Sequence, residues 1–232
     1  MTPLTAKPPA PWPEWKLSPQ AIEERSFAII DAEAGPHKWN EAEWTIVRRL
    51  VHTSADFEYV SGTVISPGAV SAGLEALRAG AAIVTDTKMA LCGINAARLA
   101  AWGNPLVCLI ADERTRRLAR ETGSTRALAA VDLAHELFFK NGQGGLWVVG
   151  NAPTALFRLL EKLGSEPGWP RPRLIVGLPV GFVNAVEAKT ALQAEAYPHI
   201  TNRSRKGGSN VAAAVINALA ELAHRPENGG AA

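Results

Sequence analysis

From residue 59 onward, short apolar runs alternate with helical patterns, and this alternation constrains the fold more than any other feature of the chain. The expected strands are Tyr59–Ile65, Ala81–Thr85, Leu106–Ile110, Leu146–Val149 and Leu174–Val176. They are brief and mostly uninterrupted by polar residues, as strands buried on both faces are. Between them, helical periodicity predicts helices over about 67–79, 87–101, 113–139 with a break at Gly123, and 153–163, with a last one over 209–223. A βαβ alternation of this kind makes a parallel sheet covered by helices on both sides. The expected fold is therefore α/β: a three-layer α/β/α arrangement around a mostly parallel, doubly wound five-stranded sheet.

Two helices precede the alternation. The first is predicted over Pro19–Ala34, with Ser18 as N-cap, Pro19 at the first position and Gly35 as the stop. Ile22, Ile29 and Ile30 share a face with Ser26. The Ser26 hydroxyl either bonds back to a carbonyl one turn earlier or meets a ligand. The second helix begins after Asn40, which forms a capping box with Glu43. At 100° per residue, Trp44, Val47, Leu50 and Val51 make its apolar stripe. His52 falls opposite, beside Thr45, Arg48 and Arg49. The helix dipole favours protonated His52 and the arginines oppose it. A titratable imidazole beside fixed cations suits a proton donor that meets an anionic ligand. A solvated surface histidine has the same spacing.

Before residue 18 the chain is rich in proline, with Pro3, Pro8, Pro9, Pro11 and Pro13. Residues 1–17 are expected to form an extended arm, and residues 18–232 a single domain. The formal net charge of +2 argues against a general nucleic-acid binder. No apolar run is long enough to span a membrane and no secretory signal opens the chain, so a cytoplasmic protein is expected. Cys92 and Cys108 stand in apolar surroundings and are expected as buried thiols rather than a disulfide.

Ligands of open α/β sheets bind beyond the carboxyl ends of the strands. Here those ends run into Ser66-Pro-Gly, Asp86-Thr-Lys88, Asp112-Glu, Gly150-Asn-Ala-Pro and Gly177-Leu-Pro. No dinucleotide loop, Walker A sequence or nucleophile elbow is present, and the histidines lack metal-ligand spacing. Arg203-Ser-Arg-Lys206-Gly-Gly-Ser-Asn places cations and glycines just before a helix, and Arg126 opens another after Gly123-Ser-Thr. With Arg48 and Arg49, these point to a ligand with several negative charges, phosphates or carboxylates.

Six segments in order carry a resemblance: Arg25-Ser-Phe-Ala-Ile-Ile, Arg49-Leu-Val-His-Thr, Ile65-Ser-Pro-Gly-Ala-Val, Gly150-Asn-Ala-Pro-Thr-Ala-Leu, Pro179-Val-Gly-Phe-Val and Arg205-Lys-Gly-Gly-Ser. Over about residues 20–223 the chain resembles the precorrin-8X methylmutase (precorrin isomerase) family of cobalamin biosynthesis. The resemblance implies a homodimeric isomerase with its pocket near the subunit interface. It implies transfer of a methyl group from C11 to C12 of precorrin-8X, an acidic tetrapyrrole, to give hydrogenobyrinic acid or its cobalt form, with no organic cofactor; from the histidine spacing, no metal site is expected. His52 matches the family's proton donor and acceptor, and Ser26 and Arg49 its substrate contacts. Arg126, Lys206 and Lys88 are the further cations expected to meet substrate carboxylates. Hand-over of product to the next pathway enzyme is also implied. Ala127 and Ala188 stand where the family often has serine, which puts side-chain contacts of those loops in question. Two other readings stay open: a non-catalytic tetrapyrrole carrier, and a phosphate or nucleotide enzyme using the Lys206 loop.

Overall fold

A computed structural model of the chain describes residues 16–139 and 144–225. Residues 1–15 of the expected arm, and part of the glycine turn at 142–145, lie outside them. The chain divides into two compact units, Met1–Pro36 and His37–Ala232.

In the first unit, α1 spans Pro19–Ala34 as the sequence predicts. Ser18 caps it by accepting the Ala21 N–H at 3.2 Å, and Gly35 ends it at φ 65°. The Ser26 hydroxyl donates to the Ile22 carbonyl at 2.7 Å. Ile22 and Ile29 remain exposed.

In the second unit, α2 (Glu41–Ser54) and α3 (Glu58–Gly62) lead into β1 (Thr63–Ile65). There follow α4 (Ala69–Arg78), β2 (Ile83–Thr85), α5 (Lys88–Gly93), α6 (Ala96–Leu99) and β3 (Leu106–Val107). Next come α7 (Glu113–Glu121), α8 (Arg126–Ala134) with a π-helical continuation at His135–Phe139, β4 (Leu146–Val149) and α9 (Pro153–Ser165). The last elements are β5 (Leu174–Gly177), α10 (Ala185–Gln193), β6 (His199–Asn202) and α11 (Ser209–Ala223). The strand order is β1-β6-β5-β4-β2-β3, parallel throughout except for β1, which lies antiparallel on β6.

The three-layer, mostly parallel arrangement stands, with six strands rather than the expected five. The added strand, β6, contains one aliphatic residue, yet all four of its residues are buried. Its polar groups are satisfied internally: Thr201 donates to the Gly177 carbonyl, and His199 Nδ1 lies 2.8 Å from the Tyr197 carbonyl. A reading that seeks apolar runs passes over such a strand. Helix α10 escapes the same reading because Lys189 occupies its buried stripe with Ala185, Ala188 and Leu192.

Three further boundaries differ. The first half of Tyr59–Ile65 is helical: Asp56 Oδ1 accepts the Glu58 N–H at 3.0 Å, and Thr63 Oγ1 donates to the Tyr59 carbonyl at 2.6 Å. The helix expected over 87–101 breaks at Ile94-Asn95, where the Asn95 side chain caps α6 by accepting the Arg98 N–H. In β3 only Leu106–Val107 joins the ladder. The break near Gly123 is where it was expected; Gly123 has φ 62°, and Thr125 caps α8.

Alternation along the central strands divides the core. Trp147, Val149 and Ile175 pack with Val131, Leu156, Leu159 and Leu192 from α8, α9 and α10. On the other side α11 is buried along nearly its whole length, against α2, α4 and α5. Gly73 shows how close that packing is, since a Cβ there would lie 3.1 Å from both Leu174 and Leu219. Each of Val211, Val215, Ile216 and Leu219 is at most 1% exposed. Full burial of one such side chain contributes about 1.5–3 kcal/mol. Cys92 is exposed and Cys108 half-buried, both as free thiols, so the expectation of two buried thiols is corrected: Cys92 lies in the last turn of the short α5.

Candidate active site

Helix α2 supplies the centre of the site. The Asn40 side chain accepts the Glu43 N–H at 3.0 Å, and Glu43 returns a carboxylate to the Asn40 N–H at 3.1 Å. Ile46, Val47, Leu50 and Val51 are buried and fix the rotation of the helix. Trp44, at one margin of the stripe, is half-buried and stacks on His37 with centroids 3.9 Å apart. Thr45, read as a neighbour of His52 on the polar side, is buried and bonds to the Glu41 carbonyl. His52 is half-exposed in the last turn, before Ala55 closes the helix in the left-handed conformation at φ 53°.

His52, Arg49 and Thr53 line one side of an open cavity of about 400 Å³. Gly93, Asn95 and Arg98, from the end of α5 and from α6, form its second wall, and Asn210, Ala214 and Asn217 of α11 its third. The cavity therefore opens within the helical layer and not directly over the strand tips. Asn217 fastens two walls together. Its amide donates to the Gly93 carbonyl at 2.8 Å and accepts the Asn95 N–H at 2.8 Å. Asn217→Ala breaks both bonds, and a urea titration is expected to show a loss of about 1–3 kcal/mol.

Charge in this region is arranged around Glu221. Its carboxylate meets Arg49 at 2.7 Å, Arg225 at 3.3 Å and Arg98 at 3.6 Å. Arg225 also reaches Glu41 at 3.6 Å, while Arg49 and Arg98 line the cavity, where their guanidinium groups suit an anionic ligand. Arg98, Asn95 and Asn217 carry no signal in the sequence, because they come from α6 with its cap and from α11, two elements without common spacing.

Of the other expected contacts, Lys88, Arg126 and Lys206 do not line this cavity. Ser26 belongs to the first unit and bonds within its own helix. Lys88 and Arg126 are exposed at the first positions of α5 and α8. Lys206 is held by Asp56 and by Glu58 at 2.8 Å, on the turn that follows α2. Its bonds to these two carboxylates push the Lys206 ammonium up and hold both carboxyl groups below their ordinary range. Its neighbours Arg203 and Arg205 are exposed, and Arg205 stacks over Phe182 at 5.6 Å.

Two buried groups organise the loops at the strand ends: Asp86, expected at a strand end as a helix cap although Thr87 caps α5, and Lys189, for which the sequence suggests no such role. Asp86 accepts the backbone N–H groups of Gly150, Asn151 and Ala152 at 3.0, 2.8 and 2.7 Å, shaping the Asn-Ala-Pro turn. Burial pushes its carboxyl up, against the pull of those three donors. Lys189 binds the Asn202 side chain at 2.8 Å, the Lys206 carbonyl at 2.9 Å and the Ser204 carbonyl. Among the described residues no group of three His, Cys, Asp or Glu side chains is placed to hold a metal ion, and no helix is long and apolar enough to cross a membrane.

These features define an α/β protein of the doubly wound class, with a histidine and arginines gathered in one cavity of its helical layer. The sequence model of precorrin-8X methylmutase matches residues 21–222. A precorrin-8X methylmutase from Sinorhizobium sp is 46% identical over 202 residues, covering 86% of this chain and 93% of the relative. A cobalt-precorrin-8 methylmutase from Leptospira interrogans is 43% identical over 210 residues, covering 88% and 94%. The crystal structure of precorrin-8X methylmutase from Thermus thermophilus superposes with a TM-score of 0.78 at 46% identity, covering 88% of this chain and 97% of that one. The chain belongs to the precorrin-8X methylmutase family, isomerases of cobalamin biosynthesis.

Proposed function

We propose that this protein converts precorrin-8X into hydrogenobyrinic acid by moving the C11 methyl group to C12, with His52 as proton donor and acceptor. The observation that carries this reading is the shared cavity of His52, Arg49 and Arg98. Migration of a methyl group around a conjugated ring needs no nucleophile. It needs the ring polarised, and a proton placed on a ring nitrogen does this and is recovered when the product forms. The arginines match the carboxylates around the macrocycle, each charge-assisted bond fixing its orientation. Holding the ring in one geometry contributes by proximity. Arg126, Lys88 and Lys206 are proposed as outlying contacts, and Ser26 as a contact from α1. A homodimer with its pocket near the subunit interface, and hand-over of product to the next enzyme of the pathway, complete the proposal.

A cobalt-bearing substrate is the second reading, because relatives at 46% and 43% identity carry the cobalt-free and the cobalt names respectively. Incubation of the purified protein with precorrin-8X, followed by visible spectroscopy, tests the activity directly. The spectrum is expected to shift as the conjugation changes. Tight binding with no spectral change over many enzyme equivalents would instead identify a carrier.

A further inference from the structure

We infer that Lys189 is a positioning residue for substrate capture: its buried ammonium fixes the 202–206 turn so that Arg203 and Arg205 face outward to receive carboxylates. This rests on the tetrapyrrole reading of the site. Lys189 is fully buried, in the apolar stripe of α10. Its ammonium has three protons and three oxygen partners, on Asn202, Ser204 and Lys206. No carboxylate is among those partners, and burial pulls the ammonium down to about 8. A buried charge is costly unless its hydrogen bonds are met. An aliphatic residue would fit the stripe at less cost, so the retained charge is explained by what it holds.

What it holds is one side of the cationic turn. Asn202 Nδ2 adds a bond to the Lys206 carbonyl at 3.0 Å. The Lys206 side chain leaves the turn for Asp56 and Glu58, tying it to the segment just after His52. The Gly181 N–H donates to the Arg205 carbonyl at 3.1 Å and the Gly208 N–H to the Leu178 carbonyl at 2.9 Å, joining the turn to the loop after β5. Gly207 permits that approach, since a Cβ there would lie 2.3 Å from the Leu178 oxygen. With the backbone held from inside and Lys206 neutralised, Arg203 and Arg205 are the exposed cations of the turn that have no ion pair among the described residues. A polycarboxylate approaching this edge meets their guanidinium groups on a backbone already held in place, which lowers the cost of ordering the turn.

Steady-state kinetics with precorrin-8X on the full chain test this. Lys189→Met is expected to raise KM about tenfold, roughly the weight of one lost charged contact, with kcat within about threefold of the parent. In Lys189→Ala, ethylammonium is expected to restore most of the lost affinity by filling the vacated site. Neutralising Arg203 and Arg205 to Gln is expected to raise KM in the parent and to add little in the Lys189→Met background, because both changes act on the same contact. A Lys189→Met protein with the parent's KM would overturn the inference, as would a fall in kcat at unchanged KM. Should circular dichroism show both Lys189 variants unfolded, Asn202→Ala weakens the same turn. A raised KM in Asn202→Ala then supports the inference, and an unchanged one overturns it. Failure of the parent protein to turn over precorrin-8X counts against the isomerase reading, while normal turnover with an unaffected Lys189 variant counts only against the role of Lys189.

Discussion

His52→Ala is expected to lower kcat for precorrin-8X by about 10²–10⁴-fold, the usual worth of one well-placed general acid. The fold does not depend on this side chain: His52 is half-exposed, and the buried stripe of α2 is made by Ile46, Val47, Leu50 and Val51. Its removal leaves Arg49 and Arg98 on the cavity wall, still arranged around Glu221. Binding of hydrogenobyrinic acid should therefore persist while conversion stops. Equilibrium titration of the product measures the first, and single-turnover visible spectra measure the second. Parent-like turnover in the variant would remove His52 from the chemistry. Loss of product affinity with an unchanged chemical step would make it a binding residue instead.

The second large effect is on stability. Asp86→Ala deletes the acceptor of three adjacent backbone N–H groups and is expected to cost about 3–5 kcal/mol, since each buried donor left unsatisfied costs roughly 1–3 kcal/mol and water recovers part of it. Gly150 is buried and leaves water little access to its own N–H, whereas Asn151 and Ala152 lie nearer the surface. The midpoint of urea unfolding should fall with the slope unchanged. Asp86→Asn keeps one acceptor but turns an amide N–H₂ toward the remaining donors, so it should recover only part of the loss. An Asp86→Ala protein as stable as the parent would show that the Asn-Ala-Pro turn is held by other contacts.

Features that depend on near neighbours in sequence were legible. The caps at Ser18 and Asn40, the break at Gly123 and the apolar strands β2, β4 and β5 stand where the sequence places them. Features that depend on distant partners were not. Strand β6 is tolerated in the core because Gly177 and Lys189 meet its polar groups, and neither can be paired with it from spacing. Lys189 in turn hides the stripe of α10. The same division runs through the site. Arg49 and His52 share a helix and were read together. Arg98 and Asn217 meet them only through the packing of α6 and α11 on α2, and Glu221 as the shared counter-ion follows from that packing as well. The Lys206 loop is legible as a cationic turn, but the carboxylates that engage its lysine, Asp56 and Glu58, lie in the stretch between the second helix and the first expected strand.

Among the described residues, helix α11 is both the most thoroughly buried helix of the second unit and its last element in chain order. A ribosome delivers the chain from the other end. Until residues 209–223 emerge, the faces of α2, α4 and α5 that α11 covers have nothing to close on. The His52 cavity has no third wall in that interval. The docking of α11 thus covers the apolar faces of α2, α4 and α5 and completes the lining of the His52 cavity in one step.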